Sequence, residues 1–258
     1  MTTILIVESN SSDLLARGKS AASLFVRTFQ MLDPSLTLKV ACPYAGPLSK
    51  DVYDGVDGVV YTGSGVDWAT NAPEAAPLRA EMERTFQQNR PVWGSCNGLQ
   101  LAAVVLGGDV GASPNGFEIG PAKNITRSEL GAAHAMMAGR SDGWAVPCVH
   151  RDEVQKLPEG ATLIAGNPHS PVQAMVYEAN GVEFWGTQYH PEMSMADVAA
   201  STGGRGVFSG GQDLTADLAI ADTDEDAAQR LGTSTSDLAL DTRARELINW
   251  LNHVKAQG

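Results

Sequence analysis

The sequence predicts an α/β protein whose mostly parallel sheet is covered by helices on both faces. Three observations carry that expectation. Short apolar, strand-like runs alternate with helix-like stretches along the chain. A Gly-x-Cys-x-Gly turn joins one such run directly to an apolar helix. The 258 residues, 43% of them hydrophobic, suffice for one large core or for a core with an appendage.

Taken in order, Thr3–Val7 is the first strand. Asn10-Ser11-Ser12-Asp13 supplies capping side chains for a helix running towards Leu32, with Leu14, Ala21, Phe25, Phe29 and Leu32 on roughly one side. Asp33-Pro34 ends it. Residues 36–41 and 59–62 are strands, 74–88 a surface helix, and Pro91-Val92-Trp93 leads into the cysteine turn. The helix beyond, carrying the apolar run 101–106, stops at Gly107-Gly108. Shorter strands follow around Val110 and over 119–125, 144–149 and 162–165, and a hairpin pairs 173–177 with 183–189 about Asn180-Gly181. Past Met193 the expectation is a short helix over 196–200, then mobile or loop-forming glycine-rich stretches, Thr202-Gly203-Gly204-Arg205-Gly206 and Ser209-Gly210-Gly211. Helices over 222–231 and 241–254 close the chain. Leu240, Ala244, Leu247, Ile248 and Leu251 form a stripe to be buried against the main domain or against a partner.

Charge and cysteine usage exclude several classes. A formal net charge of −12, from 18 basic and 30 acidic residues, argues against a nucleic-acid or anionic-membrane surface. Cys42, Cys96 and Cys148 are too few, and odd in number, for a disulfide framework, so a reducing, cytoplasmic compartment is expected. The start, Met1 to Glu8, lacks a basic segment and reads as a strand rather than a signal peptide, and no stretch approaches a membrane span.

The chemistry concentrates in two places. In Gly94-Ser95-Cys96-Asn97-Gly98-Leu99-Gln100, a nucleophile stands on a tight strand-to-helix turn, with a helix N-terminus behind it that favours a thiolate and offers N–H groups to an anion. Side chains at positions 94 or 98 would collide where the strand and helix backbones approach. Phe184-Trp185-Gly186-Thr187-Gln188-Tyr189 reads as a strand delivering His190-Pro191-Glu192. Positions i and i+2 of an extended segment share a face, so an imidazole and the carboxylate that orients it can aim at one turn. His134, His169 and His253 are isolated and join no cluster of metal-ligating residues, so neither a metal nor another cofactor is expected.

These motifs resemble the class I, triad-type glutamine amidotransferases, whose pattern is a Gly-x-Cys-x-Gly-x-Gln elbow followed much later by His-Pro-Glu. Glu118-Ile119-Gly120, His150-Arg151-Asp152-Glu153-Val154, Leu157-Pro158-Glu159-Gly160 and Pro171-Val172-Gln173-Ala174 extend the likeness, which is nearest to free-standing GMP-synthetase-like amidotransferase domains. The resemblance implies a flavodoxin-like domain over 1–203, with a glycine-rich connection and C-terminal helices, 204–258, packed on it. It implies Cys96 as nucleophile, His190 as general base and acid, Glu192 as its orienter, and Gln100 as a substrate-facing residue. Asn97 N–H and Gly65 N–H, in the loop Thr62-Gly63-Ser64-Gly65, are the expected oxyanion donors. At the lip of the pocket, Arg151 could hold a substrate carboxylate and Asp152 an ammonium, or the two could compensate each other as a solvated rim. Phe117 is a further candidate for substrate contact.

The activity implied is hydrolysis of the γ-amide of glutamine to glutamate and ammonia through a γ-glutamyl thioester. No Gly-x-x-x-x-Gly-Lys loop is present, so an ammonia acceptor is expected on a separate synthetase subunit. Two alternatives stand beside it: a γ-glutamyl peptidase or γ-glutamyl-amine hydrolase needing no acceptor, and a catalytically silent regulatory or binding subunit.

Overall fold

A computed structural model describes residues 1–202, 205–209 and 212–257. The expected domain boundary at 203/204, the glycines there and Gly210-Gly211 lie outside the described residues. Eleven strands concern the site: β1 (Thr3–Val7), β2 (Thr37–Ala41), β3 (Gly58–Tyr61), β4 (Pro91–Ser95), β5 (Asp109–Ala112), β6 (Glu118–Arg127), β7 (Trp144–His150), β8 (Asp152–Lys156), β9 (Thr162–Gly166), β10 (Ala174–Ala179) and β11 (Val182–Thr187). Nine of them make one sheet in the order β2-β1-β3-β4-β11-β10-β9-β6-β7. From β2 to β11 neighbouring strands are parallel; from β11 to β7 they are antiparallel. β8, which sequence reading does not foresee, pairs antiparallel with β5 beside this sheet.

The helices are α1 (Ser12–Ala16), α2 (Ala22–Leu32), α3 (Ala76–Phe86), α4 (Asn97–Val105), α5 (Glu129–Ala133), α6 (Met195–Ser201), α7 (Thr215–Leu218), α8 (Glu225–Leu231), α9 (Thr235–Leu238), α10 (Leu240–Arg243) and α11 (Arg245–Gln257). The single helix expected towards Leu32 is two. Gly18, at φ +73°, breaks it, and the buried Glu8 carboxylate gives α2 its own start by accepting Ser20 Oγ–H at 2.7 Å and Ala22 N–H at 2.9 Å.

The two-residue strand period sorts the core. Ile4 and Ile6 face one side with Phe25, Phe29, Trp93 and Trp185; Leu5 and Val7 face the other with Leu78, Met82 and Leu99. Helices thus cover both faces. α11 belongs to the first side: Leu247, Trp250, Leu251 and Val254 are buried there, with the Trp250 ring 6.3 Å from Trp93 and 6.5 Å from Phe29. Of the expected stripe, Leu247 and Leu251 pack against the chain's own sheet and Ala244 is buried, whereas Leu240 and Ile248 are only half-buried. Glu246 takes an interior place instead, because Arg140 reaches it with two hydrogen bonds of 2.6 and 2.9 Å. A separate cluster built on Met195, Leu218, Leu231 and Leu238 lies under α6 to α9. Among the described residues, no helix is long and apolar enough to cross a membrane.

Candidate active site

Strand register brings the two motifs together. β4 and β11 pair with Gly94 opposite Gly186 and Ser95 opposite Thr187, and Cys96 N–H continues the pattern onto Thr187 O at 2.7 Å. Cys96 and the segment ending at His190 therefore leave the same carboxyl edge of the parallel strands, where open α/β sheets place ligands. The turn is tight. A Cβ at Gly94 would lie 2.6 Å from the Gly98 carbonyl carbon, and one at Gly98 would lie 2.4 Å from Tyr61 O. Cys96 adopts φ 50° and ψ −101°, a strained conformation for a non-glycine residue. No side chain caps α4, so its first-turn N–H groups, Asn97 among them, are left for other acceptors.

Opposite, His190 Nδ1 meets Glu192 Oε1 at 2.7 Å, both groups buried. Burial disfavours the imidazolium, but the Glu192 carboxylate and then the neighbouring Cys96 side chain outweigh it, and the His190 pKa is pushed up to about 10. Its Nε2 is buried and makes no hydrogen bond among the described residues.

Three supports of this pair escape a sequence reading. Ser95 Oγ donates to Glu192 Oε2 at 3.0 Å while accepting the Trp93 indole N–H at 2.9 Å. Thr28 Oγ1 and Arg243 Nε donate to Glu192 O and Met193 O, at 2.9 and 2.7 Å. Gly63 packs against the imidazole: a Cβ there would stand 2.6 Å from His190 Cε1. A serine inside a strand, or one glycine of two in a loop, carries no such signal without its neighbours in space.

The remaining expected residues are placed as follows. Gly65 N–H does not point free into the site but donates to Asn10 Oδ1 at 2.7 Å. Gln100 is buried, its Nε2 donating to Asp152 O at 2.6 Å and Gln188 Oε1 at 3.2 Å. Arg151 grips Asp152 through two 2.8 Å bonds and donates to Asp67 O at 3.1 Å. Phe117 is partly exposed beneath the Arg205 guanidinium. Cys96, Asn97, Gln100, His190, Arg151 and Asp152 all border one cleft of about 520 Å³.

Glu118, Cys148 and His150 bring one donor atom each within 4.8 Å of one another. The Glu118 oxygens are already engaged by His150 Nε2 at 2.9 Å, Asn167 Nδ2 at 2.8 Å and Gln173 Nε2 at 2.7 Å. Burial opposes the Glu118 charge, yet these partners, His150 foremost, hold its carboxyl below the usual range.

Comparison with known proteins gives the family and the fold. Residues 50–201, more than half of the chain, match the family model described as glutamine amidotransferase class-I. A γ-glutamyl-L-1-hydroxyisopropylamide hydrolase from Pseudomonas sp. is 31% identical over 190 residues, 70% of this chain and 63% of that protein. A glutamine-hydrolyzing GMP synthase of Bordetella avium is 32% identical over 158 residues, 60% of this chain but 28% of that enzyme. The chain thus spans less than two thirds of the length of either relative. A glutamine amidotransferase of Thermotoga maritima superimposes with TM-score 0.65 at 19% identity, covering 98% of this chain and 97% of that one. A glutamine amidotransferase of Methylobacillus flagellatus does so with TM-score 0.60 at 22% identity, covering 99% and 92%.

Proposed function

We propose that this chain, which belongs to the class-I glutamine amidotransferase family, is a cysteine hydrolase that acts by itself on N-substituted γ-glutamyl amides in preference to glutamine, the unsubstituted γ-amide. The observation that carries this is the buried, unpartnered Nε2 of His190, backed by Glu192 at 2.7 Å and bordering the same cleft as a strained Cys96. Cys96 Sγ attacks the γ-carbonyl, and the oxyanion forms against Asn97 N–H at the start of α4. His190 Nε2 gives its proton to the departing nitrogen, which leaves as a free amine. His190 Nε2 then draws a proton from the water attacking the thioester and returns it to Cys96 Sγ as the C–S bond breaks and glutamate departs.

Gly65 N–H can join Asn97 as a donor only by giving up Asn10 Oδ1. The same cleft of about 520 Å³ is also bordered by Leu14, Leu24 and Arg205, which leaves room for a leaving group larger than ammonia and favours a substituted amine. The similarity to a γ-glutamyl-amide hydrolase supports the same choice. A second reading, a glutaminase feeding ammonia to a synthetase partner, draws on the similarity to GMP synthases. Steady-state assays of the isolated chain decide between them. Brisk turnover of substituted γ-glutamyl amides with glutamine poor supports the proposal. Slow glutamine hydrolysis that speeds up when a synthetase partner is added, with substituted amides inert, overturns it.

A further inference from the structure

The loop that leaves β3 is bonded, residue by residue, to the segment that leaves β1. Thr62 Oγ1, on a fully buried side chain, accepts Ser9 N–H at 2.9 Å and donates to Gly63 O at 2.8 Å. Ser64 Oγ donates to Ser9 O at 2.8 Å, and Gly65 N–H donates to Asn10 Oδ1 at 2.7 Å. Asn10 is itself fixed from two sides, its N–H donating to Glu8 Oε1 at 2.9 Å and its Nδ2 to Lys19 O at 3.0 Å. With a carbonyl on one side and an N–H on the other, the carboxamide makes both side-chain bonds in one sense only.

This loop stands between two groups that must act together. Gly63 packs on His190, where a Cβ would lie 2.6 Å from Cε1, and a Cβ on Gly98, next to Asn97, would lie 2.4 Å from Tyr61 O at the end of β3. The Gly63–Ser64 peptide thus falls beside the imidazole and near the first turn of α4, and both its residues border the cleft with Cys96. Gly63 O is drawn to the buried Thr62 hydroxyl, so the N–H across that trans peptide, Ser64 N–H, points the opposite way. Gly65 N–H, by contrast, is filled by Asn10.

We propose that Asn10 and Thr62 are positioning residues for acyl transfer: Asn10 Oδ1 on Gly65 N–H and Thr62 Oγ1 on Gly63 O hold the Gly63–Ser64 peptide so that its N–H, rather than that of Gly65, completes the oxyanion site begun by Asn97 N–H. This rests on the γ-glutamyl hydrolase reading above. A donor acts on the developing charge only if it is already in place when the carbonyl is attacked, and a misplacement of about 1 Å costs on the order of a hundredfold in rate. Two side chains that touch the loop at successive residues on either side of that peptide remove such freedom.

The test measures two rates in the parent chain and in Asn10→Ala, Thr62→Val and Thr62→Ser: hydrolysis of γ-glutamyl-isopropylamide and of glutamine, and alkylation of Cys96 by iodoacetamide, read by peptide mapping. Alkylation displaces iodide from carbon and forms no oxyanion, so it reports the thiol and His190 alone. In Asn10→Ala and Thr62→Val, kcat should fall about ten- to a hundredfold while KM and the alkylation rate stay within about twofold. Thr62→Ser keeps the hydroxyl and should recover most of what Thr62→Val loses. Tm shows whether each variant is folded at the assay temperature; if Asn10→Ala is not, the two Thr62 variants decide the same question. An unchanged or raised kcat in Asn10→Ala overturns the inference, since the Asn10 contact would then only mask Gly65 N–H. So does alkylation that slows in step with hydrolysis, or a Thr62→Ser no better than Thr62→Val. Turnover of glutamine alone overturns the preference for substituted amides and still decides the inference, whereas a parent that hydrolyses neither compound overturns both.

Discussion

Ser95→Ala asks whether the carboxylate behind His190 is aimed by the strand that carries the nucleophile. Ser95 Oγ is fully buried and makes two hydrogen bonds, to Glu192 Oε2 at 3.0 Å and from Trp93 Nε1 at 2.9 Å. The substitution removes a bond to a charged group, worth about 1.5–3 kcal/mol, and leaves an indole N–H and a carboxylate oxygen without that partner in the interior. If the bond orients Glu192, and through it His190, the loss falls on the chemical step. At about 1.4 kcal/mol per factor of ten, kcat should drop roughly ten- to a hundredfold with KM nearly unchanged. The same loss should lower Tm by about 3–12 °C, at about 2–4 °C per kcal/mol in a chain of this size. Initial rates on the best γ-glutamyl amide and a calorimetric melt read both effects on one preparation. A lowered Tm with kcat intact would refute the reasoning, since the bond would then serve folding alone.

Cys96→Ala and His190→Ala should each abolish thioester formation, whereas Glu192→Ala should keep residual activity, and a glutamine-derived electrophile should label Cys96; label confined to Cys42 or Cys148 on peptide mapping would dismiss the nucleophile assignment. The His190 pKa is raised from an ordinary 6.5 to about 10, so the pair with Glu192 adds stability that is fully present below about pH 6.5 and is lost as pH rises through about 10. Glu192→Gln should accordingly be less stable than the parent near neutrality, with the gap in denaturant-determined stability closing towards pH 10; a gap constant across that range contradicts the assignment. Arg151→Ala should raise KM by less than about fivefold, because its side chain is 43% exposed and already spent on Asp152. A rise above about twentyfold at unchanged Tm would mean that it meets a substrate carboxylate after all.

What the sequence makes legible is whatever a local steric demand writes into neighbouring positions. Gly94 and Gly98 flank Cys96 because backbone carbonyls sit where their side chains would be, and that requirement is visible as a spacing. His190 and Glu192 are likewise bound by the alternation of an extended segment. Demands made by residues distant in the chain leave no such trace. Thr62-Gly63-Ser64-Gly65 offers two glycines, and only the position of the His190 ring singles out Gly63, while Asn10, far away in sequence, claims Gly65 N–H. Asn10 reads as a capping residue and is in fact a brace for that loop, its Nδ2 bonded to Lys19 O at 3.0 Å. Arg151 and Asp152 illustrate the converse: adjacent opposite charges suit a zwitterion and each other equally well, and nothing in a list of residues decides between the two.

Residues outside the family-matched span also brace the candidate site. Residues 50–201 contain Cys96, His190 and Glu192, yet the His190–Met193 segment also accepts hydrogen bonds from two donors outside that span, Thr28 of α2 and Arg243 of α10. Trp250 of α11 presses on Trp93, whose indole holds Ser95, so the C-terminal helix reaches Glu192 through three buried contacts. Arg140 locks that arrangement by bonding Glu246 and Arg243 O together. The candidate site thus sits on the sheet edge inside residues 50–201, while Thr28, Arg243 and Trp250 brace it from outside them.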